Sequence, residues 1–263
     1  MGIQILQVDA FTDRPFRGNP AAVCLLDEPA DPIWMQQVAA EMNLSETAFL
    51  CRENEGYRLR WFTPAVEVDL CGHATLASAH TLWEVGGVSS NNPIEFYTRS
   101  GVLGAIRQGE WIELNFPAKP PKETTPPDGL LEALGVPVES VSYDGADYLV
   151  EVASESVVRQ VRPDFVQLAT LPVRGIIVTS LAEGDEYDFV SRFFAPAAGI
   201  NEDPVTGSAH CALAPFWQPR LHRDNFLAYQ ASARGGAVRV QLKGDRVFLG
   251  GQAVTVMRGE LMG

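Results

Sequence analysis

The chain has 263 residues, 46% of them hydrophobic, and carries 20 Lys and Arg against 33 Asp and Glu for a formal net charge of −13. That size can bury a large core as one domain or as two of about 130 residues, and the acidic balance, with no basic stretch interleaved with aromatics, excludes nucleic acid as an expected partner. No run approaches the roughly 20 apolar residues of a membrane helix, and the opening MGIQILQVDAF lacks the basic start and apolar stretch of a signal peptide, so a cytoplasmic protein with no membrane partner is expected.

Alternating or apolar runs near 3–10, 20–26, 46–52 and 57–63 read as strands. They are interrupted by a helix beginning at Asp31-Pro32, an N-cap followed by Pro at the first helical position. A second helix, about 73–85, precedes strands near 93–98, 102–108 and 110–116. The composition then changes: five prolines lie between Pro117 and Pro127, a density that excludes helix and sheet ladder and reads as a linker over 117–129 between an N-terminal half, 1–116, and a C-terminal half, 130–263. Beyond it come strands near 139–144 and 147–153, a helix opening at Pro163-Asp164, strands at 174–181 and 187–195, a helix from about 207, and strands near 226–232, 236–242 and 245–250. A last strand near 253–258 is left open to cross back into the first half.

Both halves therefore read ββαββαβββ, and residues repeat along with elements. Trp61-Phe62-Thr63-Pro64-Ala65 is echoed by Phe193-Phe194-Ala195-Pro196-Ala197, and Cys71-Gly72-His73-Ala74 by Thr206-Gly207-Ser208-Ala209. Ser100-Gly101 followed by Gly109 to Leu114 is echoed by Arg234-Gly235 followed by Gly244 to Leu249. Three echoes in one order indicate an internal duplication.

In each half a strand ends in a Pro-containing loop, and a Gly then opens a helix of small residues. Such a helix start exposes N–H groups without intrahelical partners, which suit an anion. If the halves face each other, Gly72-His73 and Gly207-Ser208 would hold one substrate carboxylate from both sides, whereas on a purely structural reading each Gly only permits a tight turn. Glu46 follows a helix ending near Asn43 and precedes Ala48-Phe49-Leu50. That order sets its carboxyl at the mouth of a core, where desolvation favours the neutral acid that can give and retake a proton.

Four segments, QVDAFTDRPFRGNPAAV at 7–23, LSETAF at 44–49, VDLCGHAT at 68–75 and EDPVTGSAHCAL at 202–213, resemble the signature segments of the PhzF-like family of phenazine biosynthesis, in order and across nearly the whole chain. The resemblance implies the α+β diaminopimelate-epimerase-like fold: two pseudo-symmetric halves, each with mostly antiparallel sheet wrapped around a central helix, and a site in the cleft between them. It also implies isomerisation of a molecule such as a dihydro-hydroxyanthranilate by one carboxylic acid with no cofactor, in a homodimer. Carried onto this sequence, Glu46 matches the catalytic glutamate, and His73 and Asp203 match polar residues of the pocket. Gly72, Gly207 and Ser208 match the substrate-carboxylate binders, while Asn19 and Ser45 border the pocket.

Read without the resemblance, Asp203 before Pro204 and Asp9 with Asn19-Pro20 are turn formers, and His73 is a helix-start histidine. No metal is expected, since His73 and His80 are seven residues apart, about 10 Å along a helix. Cys24, Cys51, Cys71 and Cys211 form no CxxC pair, so thiols rather than bridges are expected. Two alternatives stay open. Cys71 would suit a thiol-dependent epimerase or dehydratase of amino or imino acids, although its counterpart Thr206 is a poor opposing base. The other is a non-catalytic small-molecule binding module on the same fold.

Overall fold

The computed structural model describes residues 2–89 and 92–262, and the chain divides into two compact units, Met1–Asn115 with Gly250–Gly263 and Phe116–Leu249. The first run of elements is β1 (Ile3–Ala10), β2 (Asn19–Leu26), α1 (Pro32–Met42), β3 (Glu46–Glu53), β4 (Gly56–Phe62), β5 (Glu67–Val68), α2 (Gly72–Glu84), β6 (Ile94–Thr98), β7 (Gly101–Gln108) and β8 (Trp111–Pro117). The second is β9 (Lys122–Glu123), α3 (Leu130–Leu134), β10 (Ser140–Tyr143), β11 (Asp147–Glu151), α4 (Glu155–Gln160), α5 (Phe165–Leu168), β12 (Gly175–Leu181), β13 (Phe189–Ala195), β14 (Ile200–Asp203), α6 (Gly207–Leu221), β15 (Asn225–Gln230), β16 (Gly236–Lys243) and β17 (Arg246–Gly251). A final strand, β18 (Ala253–Leu261), pairs antiparallel with β1 inside the first unit.

The two units repeat one order of pairing. In the first, β1–β2 is antiparallel, β2–β3 parallel, β3–β4 antiparallel, β4–β6 parallel and β6–β7 antiparallel. In the second, β10–β11, β11–β12, β12–β13, β13–β15 and β15–β16 follow the same alternation. Registers also match: Ala48↔Trp61 corresponds to Ile177↔Phe193, which makes Gly175 the counterpart of Glu46. By the same rule Trp61↔Val68 corresponds to Phe193↔Asp203.

Each unit is built around one buried helix. Ten of the thirteen residues of α2 are buried, as expected of a helix apolar or small on every side. Two of its buried hydroxyls turn back on the helix itself, Thr75 Oγ1 donating to the Cys71 carbonyl and Ser78 Oγ to that of Ala74. α6 is largely enclosed too, with nine of its fifteen residues buried, and holds Pro215 and Pro219 in its interior. Proline at 215 removes the N–H that would reach the carbonyl of Cys211, a loss worth about 3 kcal/mol in an ordinary helix. Here Lys119 N–H, from the proline-rich segment, donates to that carbonyl at 2.9 Å.

That segment departs from the expectation of no ladder. Lys122 and Glu123 form β9, antiparallel to β10, and Thr124 N–H bonds to the Val141 carbonyl. The prolines fall at 117, 120, 121, 126 and 127, so 122–125 keep their N–H groups and can pair. Residues 250–263 lie in the first unit. Two short helices, α3 and α4, were not expected from the sequence. Six residues or fewer show no helical period, although Ser154 caps α4 by accepting from Val157 N–H. Among the described residues no helix is long and apolar enough to cross a membrane.

Candidate active site

Strand alternation decides which side chains can meet. In the first unit Ala22, Cys24 and Phe49 pack with Met35 and Ala39 of α1, so the residues between them on β2 and β3 face the other way, toward α2. Asn19 with Ala21 and Val23, and Glu46 with Ala48 and Leu50, belong to that second set. The helix α1 delivers the chain to this point by ending at Asn43 in the left-handed conformation, φ 49°, a common way to stop a helix. Glu46 then heads β3, paired with Ala21 of β2.

His73, the second residue of α2, meets both strands. Its Nδ1 lies 3.1 Å from Asn19 Nδ2 and 3.5 Å from Cys71 Sγ, and its Nε2 lies 3.2 Å from Glu46 Oε2. The Asn19 amide nitrogen can only donate, so Nδ1 accepts and the ring proton of neutral His73 sits on Nε2. Burial pushes the imidazole down to about 3, so His73 is neutral at physiological pH and its contact with Glu46 is a polar contact, not an ion pair. The Glu46 side chain is 14% exposed.

The donor atoms of Glu46, Cys71 and His73 lie within 4.8 Å of one another, a carboxylate, thiol and imidazole set of the kind that binds zinc. However, Glu46 and Cys71 approach different nitrogens of the ring, and one of them would have to swing for a single ion to reach all three. Among the other thiols, burial pushes Cys24 and Cys211 up to about 12, which leaves them inert packing groups.

The second unit has a different set at the matching turn. Ile176, Val178 and Phe194 join the outer cluster with α3, α4 and α5, so Gly175 and Asp147, paired on adjacent strands, face α6. A Cβ at Gly175 would overlap the Phe193 ring. A side chain standing where Glu46 stands in the first unit would therefore have to displace that ring. Just before it, Arg174 donates from Nε to Asp147 Oδ1 at 2.8 Å and from Nη2 to Asp147 Oδ2, and from Nη1 to Ser208 Oγ at 3.1 Å. Asp147 is fully buried, and that burial holds its carboxyl above the usual range against the pull of the guanidinium.

Asp203, on β14, accepts from Thr206 Oγ1 at 2.5 Å, and Gln230 Oε1 accepts from Thr206 N–H at 2.8 Å. With its hydroxyl committed to Asp203, Thr206 makes no side-chain cap for α6, and Cys71 makes none for α2. Gly72 and Gly207 thus open helices whose first N–H groups carry no side-chain cap, as an anion site requires.

Of the residues singled out from the sequence, Asn19, Glu46 and His73 come together around one imidazole, with Gly72 beside them and Ser45 half-buried just before β3. Asp203, Gly207 and Ser208 gather at the head of α6. Asp9 serves the turn, its Oδ2 accepting from the N–H of Phe16 at 2.6 Å. The sequence reading missed Arg174 and Asp147. They stand 27 residues apart in strands that otherwise read as core, and only the fold brings them to Ser208.

These features define a diaminopimelate-epimerase-like protein. A hydroxyproline epimerase of Agrobacterium vitis, 13% identical, shares the fold alone, with a TM-score of 0.65 over 98% of this chain and 92% of that one. More specifically, the family model for phenazine biosynthesis-like proteins, PhzC-PhzF, matches residues 8–259. An uncharacterised isomerase of Halalkalibacterium halodurans is 57% identical, covering 100% of this chain and 99% of that one. The crystal structure of a PhzF-family protein from Enterococcus faecalis is 41% identical, with a TM-score of 0.95 and both chains fully covered. The chain belongs to the phenazine biosynthesis-like PhzF family, and so to the isomerase and epimerase type of enzyme.

Proposed function

We propose that the protein is a cofactor-independent isomerase of a small carboxylate-bearing molecule, in which Glu46 alone takes a proton from one carbon and returns it to another. The observation that carries this reading is the neutral His73 ring, fixed through Nδ1 by Asn19, with Nε2 at 3.2 Å from Glu46 Oε2. A neutral imidazole 3.2 Å from one carboxyl oxygen marks Glu46 as the group that exchanges a proton with substrate, over the 2.6–3.2 Å or one-water reach such a transfer needs. His73 stays uncharged throughout, so the proton remains with Glu46 between the two carbons and the net charge does not change. Gly175 supports a one-acid cycle, since the position corresponding to Glu46 carries no carboxyl and the Phe193 ring occupies the space beside it. The residues the family resemblance assigns to the carboxylate, Gly72, Gly207 and Ser208, each stand at an uncapped helix start, and Asp203 orders the α6 turn through Thr206.

One observation favours a second reading. Cys71 Sγ lies 3.5 Å from His73 Nδ1, and a thiol beside an imidazole is a nucleophile or base with its activator. Incubation with small carboxylates in deuterated buffer, read by mass spectrometry for deuterium at carbon, tests the proposal. Exchange that survives Glu46→Gln but is lost in Cys71→Ala would move the chemistry to the thiol. Carboxylate binding with no exchange at any carbon would leave a binding module.

A further inference from the structure

Ser208 Oγ accepts a hydrogen bond from Arg174 Nη1, and its own O–H proton has no acceptor among the described residues. A serine hydroxyl that accepts on one side has its donor direction restricted on the other. Arg174 is itself fixed by two hydrogen bonds to a fully buried carboxylate, Asp147, and its guanidinium lies over the Phe193 ring at 5.6 Å from the centroid. The order of control runs from the strand core outward: Asp147 sets Arg174, and Arg174 sets Ser208.

We infer that Arg174 is a positioning residue that aims the Ser208 hydroxyl as a donor toward the carboxylate of the substrate. The inference rests on the reading of Ser208 as a carboxylate binder and adds the group that makes it a directed one. A direct role for the guanidinium as the anion's partner fits less well. Asp147 already compensates its charge, and Asp144 and Asp203 act on it as well, so a further anion gains little from it. Its value is geometric. The first unit has the same kind of device at its own helix start, where Asn19 orients His73 toward Glu46.

Calorimetric titration of anthranilate, the stable aromatic relative of the substrate type the family resemblance implies, against anthranilamide tests this. Wild type should prefer the carboxylate by about tenfold or more, the worth of one charge-assisted hydrogen bond. Ser208→Ala should bring the two ligands within about threefold, and so should Arg174→Lys, which keeps a cation for Asp147 but lacks the fork that also reaches Ser208. The double change Asp147→Leu with Arg174→Met removes the buried pair without leaving an orphaned charge and should behave alike. Adding Ser208→Ala to Arg174→Lys should cost nothing more. A preference lost in Ser208→Ala but intact in both Arg174 variants overturns the role of Arg174 and leaves the carboxylate reading standing. Additive losses would make Arg174 a ligand in its own right and also overturn it. No preference in wild type removes the reading of Ser208 and the inference together.

Discussion

The two units share a strand order and a central buried helix, yet the same turn carries an acid and an imidazole in one and a glycine and a serine in the other. Glu46 corresponds to Gly175, His73 to Ser208, Cys71 to Thr206 and Val68 to Asp203. What survived in both is the backbone device, a glycine-led helix start without a side-chain cap. What diverged is the group placed beside it. The division has a steric cause as well as a chemical one: Phe193 fills the space over Gly175, whereas its counterpart Trp61 leaves room for Glu46. Each unit then orients its polar group from the strand behind, by the neutral amide of Asn19 in the first and by the charged pair Asp147–Arg174 in the second.

The largest effect expected from this asymmetry is on proton transfer. Glu46→Gln keeps shape and hydrogen-bonding capacity but removes the transferable proton, so exchange at carbon should fall by about 10²–10⁴, while anthranilate binding, measured calorimetrically, changes little. Equal damage from a change at the head of β12 would dissolve the proposed division of labour. On stability the second unit is the more exposed to a single change. Arg174→Ala leaves Asp147 as an unpaired carboxylate with no solvent access, and denaturant unfolding should register a loss of about 3–5 kcal/mol. Asn19→Leu, which removes a neutral donor, should cost about 1–3 kcal/mol.

Much of this arrangement was legible in the sequence because it rests on local signals. The glycine-led helices followed from Gly72 and Gly207 behind proline-containing loops, α1 from Asp31-Pro32, and the duplication from echoes such as Trp61-Phe62 and Phe193-Phe194. Glu46 and His73 were legible only through the family motifs, since a carboxylate at a strand start and a histidine at a helix start each have ordinary structural roles. Arg174 and Asp147 carried no signal at all. Their meeting depends on parallel pairing of β11 with β12, a contact that no local pattern encodes. β9 was misread for a related reason: proline density says where N–H groups are missing, and pairing is decided by the residues between the prolines that retain them.

A smaller effect distinguishes the units by pH. Burial lowers His73 to about 3 and His210 to about 4, and it also lowers the part-exposed His80. In the unfolded chain these groups take up protons near pH 6.5, so the unfolded state binds more protons across the window below. Stability is therefore fully present above about pH 6.5 and is lost as pH falls toward 4, by about 1.4 kcal/mol per pH unit for each buried histidine. His210 Nδ1 donates to the Thr206 carbonyl, as Thr75 Oγ1 donates to that of Cys71 in the first unit. His210→Thr gives the second unit the first unit's solution. It should reduce the slope of unfolding free energy against pH, measured in urea between pH 6.5 and 5, by that one increment. An unchanged slope would mean that His210 is protonated in the folded protein.

The smallest effect is expected where the two units differ by a single group of similar size. Cys71 and Thr206 occupy equivalent positions before Gly72 and Gly207, and both are buried. In the one-acid reading the thiol fills space beside His73 Nδ1, whose lone pair is already engaged by Asn19. Cys71→Thr exchanges a thiol for a hydroxyl of comparable volume and copies what the second unit already tolerates at its own helix start. Exchange at carbon should then stay within about threefold of wild type, the range of a side-chain swap that leaves the reacting groups in place. In the thiol reading the same change substitutes a hydroxyl of far higher pKa for the working base, and activity should fall as far as in Glu46→Gln. Measured side by side, Cys71→Thr and Glu46→Gln rank the two groups directly: an inactive Cys71→Thr beside an active Glu46→Gln would make the first unit's turn a thiol site.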